Sequence, residues 1–358
     1  MKKKLHTGSG AIYDLLKYVL ALVAVLLLAI LLIGLQGQNV GAAGKAMLFG
    51  ACGNTSRIGN TIRWITPCLL TGISASVAFR SGIWNMGVGG QLYMGAFAAT
   101  CAALYLPMYP VIGPLICLIF GILAGTLWAA IPALLKRFLN VSEMITTLML
   151  NYIATLLTTF FVKLLNGISA NNNSKALSTA LIPDGARLTN LIPKTNASTG
   201  IFIAIALVIL MWFIYRYTVA GYEMRMVGAN PRFARTGGVR INKVYLTTFL
   251  LSGAIAGLAG GIEILGVYGK FTADFSSNIG WDGIMIATIA MYHPLATGIV
   301  GALWGALKSG SLYMEAMTDT NRLTVEVLLA FFVLFVTVDY RKLLKKRRHK
   351  RKGAENNV

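Results

Sequence analysis

Charge is the scarcest ingredient of this 358-residue chain, with Asp, Glu, Lys and Arg together making up 12% of it. Soluble globular domains carry roughly 25%. A surface so poor in charge excludes an ordinary soluble enzyme. Histidine and cysteine are scarce too, with 3 and 4 copies. His6, His293 and His349 are far apart, and Cys52, Cys68, Cys101 and Cys117 form no pair at metal-ligand or redox spacing. Neither a zinc site nor a Ser-His-Asp triad has material to be built from. Three of the cysteines lie in apolar runs, where a thiol behaves as a small hydrophobe. Acidic residues number 12 against 32 basic ones, a formal charge of +20. This excess is no nucleic-acid footprint, because it gathers in Arg341–Lys352, behind the last apolar run, and at Lys2–Lys4. Basic residues beside apolar runs mark the cytoplasmic face of a membrane.

Apolar residues are abundant, at 56% of the chain, and the mean hydropathy is +0.68. One spanning helix needs ~20 mostly apolar residues. Apolar runs predict ten spans, at about 18–35, 61–79, 85–106, 111–134, 142–165, 200–219, 244–266, 280–292, 295–313 and 324–339. The first reads as a retained span, because no small-residue cleavage site follows the basic N-terminus. With the N-terminus inside, 22 Lys and Arg fall on cytoplasmic segments, 9 fall outside, and Lys308 lies within a span. An even number of spans keeps both termini cytoplasmic. The fold class is therefore an all-α polytopic membrane protein in contact with the lipid bilayer. Residues 1–340 read as one transmembrane domain and 341–358 as a basic cytoplasmic tail. The polar loop 166–199 falls outside, and the loop 220–243, rich in Arg and Lys, falls inside.

The chain repeats itself. Asn85-Met-Gly87-Val-Gly89-Gly90 returns as Asn278-Ile-Gly280-Trp-Asp282-Gly283. Thr71-Gly72-Ile-Ser-Ala75 is echoed by Ser252-Gly253-Ala-Ile-Ala256, Gly125-x-x-Trp128 by Gly301-x-x-Trp304, and Ser142-Glu143-Met by Val325-Glu326-Val. The order is kept while the membrane side is exchanged, which is the pattern of two inverted-topology repeats, about 61–165 and 244–340. Glycines four residues apart (Gly121 and Gly125; Gly253, Gly257 and Gly261; Gly301 and Gly305) predict close helix crossings. The eighth span is too short to cross a bilayer alone, and interrupted segments at matching places in two halves point to a transport site.

Within loop 220–243, Asn230 fits an N-cap, Pro231 the first helical position, and Gly237 or Gly238 the C-terminal stop. A helix this short is unstable alone in water. It must pack on something, either a docking partner or anionic lipid beneath it. Charges within spans face a cavity or a partner. Glu263, Asp282, Lys308 and Glu326 are the candidates, and Lys308 can neutralise Asp282 or Glu326. Glu143 reads as a helix N-terminal residue. The nearest approach to a phosphate-cradling loop, Gly41-Ala-Ala-Gly44-Lys45-Ala46, has the wrong spacing and no hydroxyl after the lysine, so the chain is no ATPase.

The segments Asn85–Met94, Ser142–Tyr152, Gly221–Gly238 and Leu251–Gly261 resemble the permease subunits of bacterial ATP-binding cassette (ABC) importers for branched-chain amino acids, simple sugars and nucleosides. The Glu143–Asn151 stretch and the chain length look most like the nucleoside permeases. The resemblance implies a type II ABC importer fold in the bacterial plasma membrane and pairing with a second permease subunit, identical or homologous. It also implies cytoplasmic ATPase subunits, an extracellular substrate-binding lipoprotein, and no nucleic-acid partner. It makes Asn230, Pro231, Arg232, Phe233, Ala234, Arg235, Thr236 and Gly237 the helix that couples to the ATPase. No cofactor is expected on this chain, since ATP and Mg belong to the ATPase subunits. A nucleoside is uncharged, with a stackable base and a hydroxyl-rich sugar. The expected path residues are therefore Asn85, Gln91, Asn151 and Asp282, with Trp84 or Trp281 stacking on the base. One departure is Tyr292-His293-Pro294, where relatives carry an Asn-rich turn. A sugar permease for a substrate such as ribose offers the same polar groups. An ion-driven secondary transporter would work without ATPase subunits, and a membrane scaffold would need no inverted halves.

Overall fold

The computed structural model describes residues 23–24, 27–168, 177–273, 275, 278–318 and 321–337. The start of the first predicted span, the Asn171–Asn173 run and the basic tail lie outside the described residues. Among the described residues regular structure is helical, and β pairing is confined to two isolated bridges, Ser178 with Thr272 and Asn190 with Ser198. Two units are distinguished, one of residues 1–41 with 319–358 and one of residues 42–318. The first contains α1 (Leu27–Leu35) and α13 (Leu323–Thr337), joined by a hydrogen bond from the Gln36 amide to the Thr324 hydroxyl at 2.8 Å.

The second unit holds the rest: α2 (Val40–Cys52), α3 (Thr55–Arg80), α4 (Val88–Tyr105), α5 (Ile112–Leu139), α6 (Glu143–Ile168), α7 (Gly200–Tyr217), α8 (Val219–Ala229), α9 (Pro231–Thr236), α10 (Ile241–Glu263), α11 (Ile279–Ile289) and α12 (Pro294–Thr318). Each predicted apolar run carries a helix. Two helices, α2 and α8, stand where no span was expected. Among the described residues five helices are each long and apolar enough to cross a membrane: α3, α5, α6, α7, and α10 with the turn that follows it.

Burial sorts these five into two kinds. The apolar stretches of α3 and α10 are mostly buried, whereas those of α5, α6 and α7 are mostly half-buried or exposed. The cause is side-chain size. Helix α3 runs through Thr71-Gly72-Ile73-Ser74-Ala75-Ser76, and α10 through Ser252-Gly253-Ala254-Ile255-Ala256-Gly257. Small residues let backbones approach, so these two helices form the centre. They meet in a reciprocal pair of hydrogen bonds, the Ser74 hydroxyl donating to the Ser252 carbonyl at 2.8 Å and the Ser252 hydroxyl to the Ser74 carbonyl at 2.9 Å.

Packing around this centre is exchanged between the halves: α3 packs on α12 and α11, and α10 on α5 and α4. Glycine makes both crossings possible. A Cβ on Gly257 would run into the Gly121 carbonyl oxygen and come 2.9 Å from the Gly125 Cα. In the other half, a Cβ on Gly305 would come 2.6 Å from the Ile65 Cα. The predicted glycine spacing is thus used at α5–α10 and at α12–α3. One turn of π-helix, Ile264–Tyr268, follows α10 and ends at Gly269 in the left-handed region.

Candidate substrate cleft and coupling segment

Between α3 and α4 the chain turns at Gly82 (φ 78°) and then runs without helix to α4. Asn85 sits in this interruption, fully buried. Its Oδ1 accepts from the Gly87 backbone N–H at 2.9 Å and from Gln91 Nε2 at 3.2 Å. Its Nδ2 donates to the Ser252 hydroxyl at 2.9 Å and to Gln91 Oε1 at 3.1 Å. Asn85 and Gln91 therefore satisfy each other in the interior and tie the interruption to α10. Asn151 of α6 holds the same segment from the other side. Its Nδ2 donates to the Met86 carbonyl at 2.8 Å, and its Oδ1 accepts from the Gly90 N–H at 2.7 Å. The two repeated Asn-Gly elements meet here, where a Cβ on Gly280 would come 2.6 Å from Gly89.

This junction walls a cleft of about 200 Å³. Gly89, Gly90 and Tyr93 line it from α4, Asn151, Tyr152 and Thr155 from α6, and Trp281 and Ile284 from α11. No Asp, Glu, Lys, Arg or His is on its walls. Trp281 is 44% exposed and Tyr152 67%, so both rings are available. Of the six expected path residues, the structure brings Asn151 and Trp281 to this cleft. Asn85 and Gln91 lie buried behind it. Trp84 packs on Phe79, ring centroids 5.2 Å apart, and is not on its walls. Asp282 is buried in an ion pair with Lys308. Tyr93 and Tyr152 were not singled out from the sequence, although Tyr152 directly follows Asn151.

The buried charges form a chain through four helices. Arg63 of α3 pairs with Glu263 of α10 at 3.2 Å, their side chains 9% and 1% exposed. The Arg63 guanidinium also donates to the Tyr268 hydroxyl at 3.0 Å and lies 3.7 Å over the Trp64 ring. Lys308 of α12 reaches the same ring at 5.1 Å and pairs with Asp282 of α11. Of the two partners expected for Lys308, it is Asp282 that takes it. Arg63, at the outer end of the span predicted at 61–79 and counted with the outer charges, is instead buried in α3, where Glu263, 200 positions away, neutralises it. Glu143 opens α6 and pairs with Lys136 at 2.9 Å.

The segment expected to couple to the ATPase follows α8. Asn230 caps α9, its Oδ1 accepting from the Phe233 N–H at 3.1 Å, with Pro231 at the first helical position. Gly237 ends the helix and Gly238 turns out of it at φ 82°. Glycine fixes its seat as well. A Cβ on Gly228 would collide with the Arg80 carbonyl oxygen, so α8 lies against the end of α3. Ala234 faces the interior, whereas Phe233 is 61% exposed and Arg232, Arg235 and Thr236 are exposed. The exposed face of this six-residue helix thus carries one aromatic ring, Phe233, with Arg232 and Arg235 to either side.

Residues 57–338 match the family described as the permease component of branched-chain amino acid transport systems. The chain belongs to this family. It is 32% identical to the guanosine ABC transporter permease NupP of Bacillus subtilis strain 168 over 95% of this chain and 98% of that one. It is 28% identical to the nucleoside ABC transporter permease NupB of Lactococcus lactis subsp. cremoris MG1363, over 82% of each chain. A glucose ABC transporter permease, TsgB13 of Haloferax volcanii DS2, is 30% identical over 75% of this chain and 73% of that one. These relatives are permease subunits, and the several apolar helices of this permease agree with a multi-pass membrane protein.

Proposed function

We propose that this permease is the membrane subunit of an ABC importer that carries nucleosides inward across the bacterial plasma membrane. The observation that carries this reading is the cleft at the junction of the two repeated elements. It is uncharged and aromatic, with Trp281 and Tyr152 exposed and one amide, Asn151, on its wall. A neutral ligand with a stackable base suits such a site, because aromatic faces contribute about 0.5–1.5 kcal/mol beyond area burial. The nucleoside permeases among the relatives support the same substrate class. Asn85, Gln91 and Asp282 take part by holding the cleft walls in place.

Phe233 and Arg232 seat on the cytoplasmic ATPase subunits, which hydrolyse ATP with Mg, while Arg235 borders the cavity between α9 and α5. An external lipoprotein delivers substrate, and a second permease subunit completes the path. Ten spans with both termini cytoplasmic, in two inverted halves, fit the charge distribution and the exchanged packing of α3 and α10. Residues 1–340 act as one permease domain with 341–358 as its basic tail. The test is competition uptake by the reconstituted transporter, with nucleosides, ribose and free bases as competitors. Nucleosides compete best, and Trp281→Ala raises KM for nucleosides while the ATPase stays assembled. Ribose outcompeting every nucleoside would overturn the substrate assignment and leave the permease assignment standing.

A further inference from the structure

A second cavity, about 350 Å³, opens beside the coupling helix. Its rim is polar and basic: Lys136 and Arg137 from the last turn of α5, Asn140 after it, Arg235 of α9 and Asn242 of α10. Its floor is apolar, formed by Ala133, Leu246 and Phe249, with Tyr245 between floor and rim. The rim carries three cations against one nearby carboxylate, Glu143, which Lys136 already engages at 2.9 Å. No carboxylate among the described residues forms an ion pair with Arg137 or Arg235. A cavity with two uncompensated arginines above an apolar floor is shaped for an amphiphilic anion.

The flank of α5 says where that anion comes from. Leu134, Phe138 and Leu139 are exposed large apolar side chains, and the Arg137 guanidinium lies 5.4 Å over the Phe138 ring. On a helix long and apolar enough to cross the bilayer, these side chains contact acyl chains, and the switch from apolar to basic marks the headgroup level. Basic pockets between helices at that level take phospholipid headgroups. We propose that this cavity holds one anionic phospholipid, its phosphate between Arg137 and Arg235 and its first methylenes on Leu246 and the Tyr245 ring. The lipid thereby links the end of α5 to α9. A free phosphate would leave the apolar floor unused.

The test is native mass spectrometry of the intact transporter released from bilayers of phosphatidylcholine and phosphatidylglycerol mixed 3:1. Retained phosphatidylglycerol is counted per complex. It is expected on the wild type in preference to phosphatidylcholine, and retention should fall about 5-fold in Arg137→Gln, about what one basic residue contributes near an anionic surface. Arg137→Lys restores most of it, and Asn242→Glu, at an exposed rim position, abolishes it by placing a carboxylate in the rim. Unchanged melting of each variant shows that the fold persists. Equal retention of phosphatidylcholine, displacement by millimolar inorganic phosphate, or wild-type retention in both Arg137→Gln and Asn242→Glu overturns the site. Weakened ATPase binding in Arg137→Gln with lipid retention unchanged also overturns it, in favour of an acidic segment of the ATPase. None of these measurements reads transport, so failure here leaves the nucleoside assignment untouched.

Discussion

Neutralising Glu263 tests the charge chain at its most buried member. Glu263→Gln keeps the volume of the side chain and removes its charge, leaving the Arg63 guanidinium buried without its carboxylate. Breaking a buried pair by removing one partner typically costs 3–5 kcal/mol, whereas replacing both partners by apolar side chains is close to neutral. Arg63 keeps the Tyr268 hydroxyl at 3.0 Å and the Trp64 ring at 3.7 Å, so the loss falls at the lower end, about 3 kcal/mol. Chains of 150–250 residues lose about 2–4 °C per kcal/mol, and larger ones less, which puts the shift near 5 °C. The assay is thermal melting of the purified chain in detergent, read as loss of the monodisperse size-exclusion peak. Arg63→Met with Glu263→Met should melt within about 1 kcal/mol of the wild type, giving a coupling energy of about 2 kcal/mol or more in the cycle. A Glu263→Gln variant that melts with the wild type, or a double variant no better than the single, would refute the view that the two charges balance each other.

Two further outcomes follow from α9 and from the Tyr292-His293 turn. Phe233→Ala removes an exposed aromatic anchor, so it should weaken ATPase docking by about 2 kcal/mol and uncouple hydrolysis from uptake, with the permease still inserted and folded; full coupling in that variant would remove α9 from the assignment. The turn at Tyr292-His293 is held by Arg80, which donates to the Tyr292 carbonyl at 3.0 Å, and burial together with that guanidinium keeps the His293 imidazole below its usual range. The unfolded chain then takes up its proton first, so stability is full above about pH 6.5 and falls as pH drops below it. Melting temperatures measured between pH 7.5 and 5 (intervals chosen to bracket that value) should fall less in His293→Gln than in the wild type, and parallel curves would contradict this.

The sequence was most readable where one residue type does one job. Each run of apolar side chains carries a helix, and the Asn230-Pro231 to Gly237-Gly238 grammar fixes α9 to within a residue. Glycine spacing found both tight crossings because a missing Cβ acts locally. Charges were harder, since their meaning depends on distant partners. Arg63 reads as a charge at the outer end of a span until Glu263 is known to lie beside it, and Lys308 had two equally good carboxylates in sequence. The amides were harder still. Asn85 belongs to the repeated element, but only the fold reveals that Gln91 and Ser252 use up its hydrogen-bonding groups, leaving Asn151 and the Tyr93 and Tyr152 rings to face the cleft. Helix α8, eleven residues with small and medium apolar residues turned inward, is too short for periodicity to distinguish from loop.

The separation of Arg63 from Glu263 also sets an order of events during synthesis. The two lie 200 residues apart, which at about 5–20 residues per second means that Arg63 waits roughly 10–40 s for its counterion. During that interval a charged side chain in hydrocarbon is costly, and long basic side chains escape by reaching toward the interface. The Arg63–Glu263 pair therefore forms only after α10 has been made. Lys308 follows Asp282 by 26 residues and is neutralised within seconds. A nascent chain that stops short of residue 263 therefore lacks the carboxylate that neutralises Arg63.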